Sequence, residues 1–143
     1  MLTFAGLRRK FETLDTDKVV IDSMSATADD LEEKNRERML DGVRADGSVM
    51  PHYSYISQTV YGYPDEPIKL RDTGDFQRAI VVKLEGGKVV TESTDEKTDM
   101  LVERYGDDIF GTFGDYKSEY LKDNLRPEIN RRINEHTSLK FGQ

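Results

Sequence analysis

The chain has 143 residues, 28 Asp and Glu against 21 Lys and Arg, a formal net charge of -7, no cysteine and two histidines. That length fits one domain able to bury roughly two thirds of its unfolded surface, and without cysteine neither a disulfide nor a thiolate zinc site can hold it. The acidic balance repels a phosphate backbone, so any DNA contact is expected to be local at most. No apolar run reaches the length of a membrane span, and the opening "MLTFAGLRRKFETL" carries charge by residue 8, unlike a signal peptide; a soluble chain with no membrane partner is expected.

In chain order, Leu2 or Phe4, Leu7, Phe11 and Leu14 share one helical face, which predicts a short amphipathic helix. A cap at Asp15 or Thr16 then opens a longer helix in which Val20, Met24, Thr27, Leu31, Asn35 and Met39 recur at steps of three and four, ending at Gly42. "DGVRADGSVMPHYS" reads as a loop. One short helix is expected in "YSYISQTVYGYPDEP" before Tyr63-Pro64, with Pro64 and Pro67 bracketing an extended connector.

"FQRAIVVKL" alternates Phe76, Ile80, Val82 and Leu84 against Gln77, Lys83 and Glu85, with Arg78 interrupting the apolar face. This is the period of a strand. Gly86-Gly87 supplies a hairpin turn and "KVVTEST" the returning strand, placing a hairpin over about 76–94. A helix capped by Thr94 or Asp95 follows, with Met100, Leu101 and Tyr105 on its buried side and Gly106 at its end. In the last third, Leu121, Leu125, Ile129 and Ile133 fall at i+4 steps with Tyr116 and Tyr120 on a neighbouring stripe. Pro127 must interrupt that run, by a kink or by standing in the first turn of a new helix near Asn124. The fold class expected is α+β: N-terminal helices, a central antiparallel hairpin or small sheet, and C-terminal helices in one domain.

Asp72-Thr73-Gly74 is the triplet aspartic proteases place at their catalytic carboxylate. That chemistry needs two carboxylates sharing a proton, hence a second triplet or a symmetric dimer, in apolar surroundings. The chain holds one triplet, flanked by Arg71 and Asp75, and a structural turn leading into the strand is the stronger reading. His52 and His136 are far apart, Asp29, Asp30, Glu32 and Glu33 read as a solvated helix face, Asp107-Asp108 lacks calcium-loop spacing, and Ser54 and Ser57 have no definable base. No catalytic residue, metal ligand, cofactor or small-molecule substrate is expected. Tyr53, Tyr55, Tyr61 and Tyr63 fall within one punctuated loop and suit equally a partner interface or a satellite core over the hairpin.

The order "RMLDGVRADGSVMPHYSYIS", "PIKLRDTGDFQRAIVVKL", a glycine hairpin and "ERYGDDIFG" resembles the tail-completion or head–tail joining (neck) proteins of tailed bacteriophages, including the Mu-type virion morphogenesis group. In that family a helix leads to "D-G-x-x-(W/M/L)-x-x-(L/Y)-S", then "L-(R/x)-x-(T/S)-G-x-(L/F)-x-x-(S/A)-I", then "(Y/F)-G". Asp46-Gly47, Met50, Tyr53-Ser54, Leu70, Thr73-Gly74, Phe76, Ala79-Ile80 and Tyr105-Gly106 correspond. The "D-T-G-D-F" stretch looks most like versions from phages of gut Bacteroidetes, pointing to a ring or collar protein of a crAss-like virion.

The resemblance implies an α+β virion protein, without catalysis, assembled in the bacterial host. It would form a ring of about 6 or 12 copies at the portal vertex that joins head to tail, helps retain packaged DNA, and meets portal or adjacent neck and tail proteins. A ring needs two different complementary faces, and Arg8, Arg9 and Lys10 meeting Asp29, Asp30, Glu32 and Glu33 of a neighbour would supply one contact. The alternatives are a dimeric aspartic-type hydrolase using Asp72 and a small adaptor binding one protein through the tyrosine loop.

Overall fold

The structure, a computed structural model, describes residues 3–71 and 74–139. It is α+β, a two-stranded antiparallel sheet set among helices that precede and follow it. Helix α1 (Phe4–Glu12) starts where Thr3 Oγ1 accepts the Gly6 N–H, and none of its residues is buried. The expected face is present as Phe4, Leu7 and Phe11, but it lies at the surface: Phe4 is 86% exposed.

The single long helix expected after Asp15 is two helices, α2 (Thr16–Ala26) and α3 (Ala28–Leu40). Asp15 caps α2 through the Lys18 N–H, and the break falls at Thr27, whose backbone leaves the helical region at φ -110°, ψ 16°. The buried Thr27 hydroxyl bonds the Ser23 carbonyl and the Tyr120 hydroxyl, while the backbone bonds from Thr27 N–H to Ser23 O and from Leu31 N–H to Thr27 O continue across the junction. Gly42 then ends α3 at φ 70°.

Ser54 Oγ accepts the Ser57 N–H and opens α4 (Tyr55–Tyr61); Gly62 closes it at φ 72°, two residues before the proline expected to do so. Residues 76–79, expected to start the first strand, are not strand. Asp75–Arg78 forms a helical turn, α5, and β1 (Ile80–Glu85) begins only at Ile80. Gly74 at φ 87° redirects the chain, Arg78 and Ala79 N–H bond back to Gly74 and Asp75, and Arg36 Nε holds the Gln77 carbonyl at 2.8 Å. Arg78 interrupts the apolar alternation because a helical turn carries it to the surface, where it pairs with Asp75.

Strand β2 (Lys88–Ser93) returns in the register Ile80↔Ser93 to Glu85↔Lys88, around Gly86-Gly87 with both φ positive. Helix α6 (Thr98–Tyr105) starts later than the expected cap. Asp95 Oδ1 bonds the Lys97 N–H in a turn ahead of the helix, and Gly106 ends it. A short 3₁₀ turn (Asp107–Ile109) leads to α7 (Gly114–Tyr120), a π turn (Leu121–Leu125) and α8 (Arg126–Thr137).

Pro127 stands in the first turn of α8, the second of the two placements expected, but the chain enters that helix through the π turn and not through a cap near Asn124. Backbone angles stay right-handed from Tyr120 through Arg126, whose N–H reaches back five residues to Leu121. The wider turn accommodates a proline that cannot donate and whose ring crowds the carbonyl four back.

Two apolar clusters form the interior. Met39, Met50, Leu70, Phe76, Ile80 and Ile109 make one; Leu31, Tyr120 and Leu125 make the other, with Met24, Val82 and Ile129 packed against it. Buried polar groups of α3 anchor the backbone around Ile109 and Gly111 beside the first cluster. Arg38 Nε donates to the Gly111 carbonyl at 2.7 Å, its Nη1 and Nη2 to Val43 and Ile109, and Asn35 Oδ1 accepts the Gly111 N–H.

Candidate functional site

The tyrosine loop and α6 build an apolar groove of about 290 Å³, lined by Tyr53, Tyr63, Ile68, Leu70, Phe76, Met100, Leu101 and Tyr105, with Arg71, Asp75 and Lys97 at its edge. Tyr53 and Tyr63 stack with ring centroids 4.6 Å apart and planes 14° from parallel. The loop is closed into this shape by two backbone bonds, Tyr53 N–H to Glu66 O and Ile68 N–H to Pro51 O, and by the side-chain contact of His52 Nδ1 with Asp65 Oδ1 at 2.8 Å.

Leu70 holds φ 54°, a left-handed conformation that costs a non-glycine residue about 1 kcal/mol. Its side chain is buried beside Phe76, which offsets that cost. On the opposite wall Arg44 Nη1 holds the Tyr105 carbonyl at 2.9 Å, fixing the end of α6.

The expected interface tyrosines divide. Tyr53 and Tyr63 form a wall of the groove, whereas Tyr55 and Tyr61 stand exposed on α4 with Ile56 and Val60. Met100, expected on the buried side of α6, is 55% exposed at the groove, while Leu101 and Tyr105 pack on the core. The pattern of α6 did not distinguish a core stripe from a groove wall, since both call for apolar residues.

Of the turn triplet, Gly74 is the residue before α5, and Asp72 and Thr73 lie outside the described residues. Ser54 and Ser57 are explained by capping. His136 Nε2 sits 2.9 Å from the Lys10 carbonyl at the α1–α8 contact, remote from His52 in the loop. Among the described residues no group of three acidic, histidine or cysteine side chains could hold a metal ion.

No family model, no curated protein and no solved structure matches the chain.

Two of the three basic residues of α1 have partners within the chain: Arg8 bonds Glu12 at 2.7 Å, and Lys10 Nζ bonds Ser138 Oγ at 3.0 Å and the Thr137 carbonyl at 3.3 Å. Glu33 pairs with Arg36, and Glu32 takes the Val82 N–H at 2.9 Å. Arg9, Asp29 and Asp30 are exposed. A second apolar surface, formed by Phe4, Leu7 and Phe11, lies on α1, an element that takes no part in the groove.

Proposed function

We propose that the chain is a structural subunit of a tailed-phage neck, assembling head to tail into a ring at the portal vertex and joining head to tail. The observation that carries this reading is the pair of unlike apolar surfaces, the tyrosine-walled groove and the outer face of α1, built from different elements. A closed ring of identical subunits needs two non-identical complementary patches, whereas an adaptor for one partner needs one. Exposed apolar surface gathered into patches marks docking sites in soluble proteins, and an aromatic pair pre-stacked in a braced loop loses little freedom on binding.

The resemblance of Asp46-Gly47, Met50, Tyr53-Ser54, Leu70, Thr73-Gly74 and Phe76 to neck-protein patterns supports the same reading, since Met50, Leu70 and Phe76 belong to the core under the groove. The charge contact first expected between α1 and the acidic helix is narrower than the sequence implies. Arg8, Lys10, Glu32 and Glu33 are engaged within the chain, leaving Arg9 against Asp29 and Asp30.

Native mass measurement tests the reading, with the protein alone and mixed with the portal protein of the same phage. A discrete ring or a co-complex with portal is expected. A chain that remains monomeric at high concentration and ignores portal overturns it.

A further inference from the structure

The two edges of the hairpin are treated differently by the fold. Along the outer edge of β1, Glu32 Oε1 accepts the Val82 N–H at 2.9 Å and Arg36 Nη2 donates to the Ile80 carbonyl at 3.2 Å, so helix α3 covers that edge with side-chain bonds. The outer edge of β2 pairs with no other strand among the described residues.

The register gives the direction of its backbone groups. Since the Val82 N–H points away from β2, Val82 and Thr91 form a non-hydrogen-bonded pair, and alternation makes Leu84↔Val89 another. The N–H and C=O of Val89 and Thr91 therefore face outward. The Ser93 carbonyl, next in this series, already accepts the Thr98 hydroxyl at 3.2 Å.

We infer that the β2 edge pairs antiparallel with β2 of a second copy, centred on Val90, to form a continuous four-stranded sheet across a two-fold axis. In this register Val89 of each copy faces Thr91 of the other, and the two residues exchange both of their outward backbone hydrogen bonds. Val90 meets Val90, and Lys88 lies directly opposite Glu92 on the same face.

The charges are self-complementary in this register. Glu92, already paired with Lys83 of its own chain, gains Lys88 of the other copy, and the two-fold repeats the arrangement. Sliding either way by one step of two residues places Lys88 opposite Val90 or Thr94 and loses it. The turn is open as well, with nothing within 4 Å of a Cβ added at Gly86 or Gly87. This contact uses neither the groove nor α1, so it stands apart from the ring contacts.

Single-cysteine cross-linking tests it cleanly because the chain has no cysteine. Val90→Cys is expected to give a disulfide-linked dimer under mild oxidation, since directly opposed residues in a non-hydrogen-bonded pair sit about 4.5 Å apart at Cα. Val89→Cys, offset by two residues from its own copy, is about 8 Å away and does not cross-link. Thr91→Pro removes only an outward N–H, so it leaves the β1–β2 ladder intact and abolishes the Val90→Cys cross-link.

Should that variant fold poorly, Lys88→Glu is the second test. It weakens the dimer about tenfold, and adding Glu92→Lys restores it. Equal cross-linking at positions 89 and 90, or none at 90, overturns the pairing. A ring that forms without the Val90 cross-link removes this contact alone; the cross-link without any ring removes the neck reading and leaves the pairing standing.

Discussion

Asn35 and Gly111, 76 residues apart in sequence, are joined by one hydrogen bond in which Asn35 Oδ1 accepts the Gly111 N–H at 2.8 Å. One turn further along α3, Arg38 takes the Gly111 carbonyl, so a helix and a loop are tied through both polar groups of a single glycine. Arg38 is 1% exposed, and its charge is met by three backbone carbonyls. Burial without a carboxylate pulls the guanidinium down to about 10.

Arg38→Met is therefore expected to cost roughly 3 kcal/mol or more, because three carbonyls lose their donor at once. Arg38→Lys should recover only part of this, since one ammonium cannot reproduce a planar fork that reaches Val43, Ile109 and Gly111 together. Urea unfolding of the two variants against the parent checks both the size and the order.

Gly42→Ala should be among the most damaging single-methyl changes. At φ 70° the added Cβ would lie 2.6 Å from Pro67 Cβ, and the Gly42 carbonyl that anchors the Met50 N–H would have to move. Backbone strain and overpacking together predict a loss of about 2–4 kcal/mol, read from thermal or urea unfolding. Gly62→Ala, with the same sign of φ and open space around it, should cost only about 1 kcal/mol.

The Tyr116 phenol is pushed up to about 12 by burial and by its hydrogen bond to Asp41. A folded value above the unfolded one means that the neutral phenol stabilises the fold fully below about pH 10. That contribution fades as pH rises from 10 to 12. Absorbance at 295 nm should show a late ionisation as pH approaches 12, and Tyr116→Phe should reduce that late step and flatten the loss of stability across this window. Tyr120, raised by burial, ionises late as well.

For the groove, Met100→Asp and Tyr63→Ala are expected to reduce ring formation or portal binding at least tenfold. Met100 is mostly exposed, so Met100→Asp should change unfolding stability by less than about 1 kcal/mol. Sedimentation and thermal melts on the same samples separate the two effects; unchanged assembly in both variants would exclude the groove as a contact.

The elements that sequence made legible are those whose signal is local. Asp15 capping α2, Gly42 and Gly106 ending helices, and the Gly86-Gly87 hairpin each rest on a backbone preference written at one or two positions. The misreadings came where distant residues decide. Phe76 and Gln77 alternate like a strand, but Arg36 on α3 holds the Gln77 carbonyl and Gln77 Nε2 holds Lys69, which favours a helical turn. Thr27 fits a helical face by spacing, yet its backbone angles leave the helical region at the point where its hydroxyl meets Tyr120 of a distant helix. In the candidate site the four tyrosines were visible as a group, yet which two would stack depended on loop closure through Glu66 and Pro51.

The π turn before Pro127 also decides which residues of the long C-terminal helix face inward. In an unbroken α-helix Tyr120 and Leu125, five residues apart, would point about 140° away from each other. Here both are buried in the same cluster against Leu31, while Leu121, which the i+4 spacing groups with Leu125, is 41% exposed. The turn thus works as a one-residue phase shift between two helical halves, α7 and α8, each with its own apolar stripe. Deleting one residue within 121–125 would leave Tyr120 and the present Leu125 four residues apart, about 40° on a plain α-helix, so that deletion should convert the π turn to regular helix with both residues still in the core, whereas closing the turn at full length would carry Tyr120 off it.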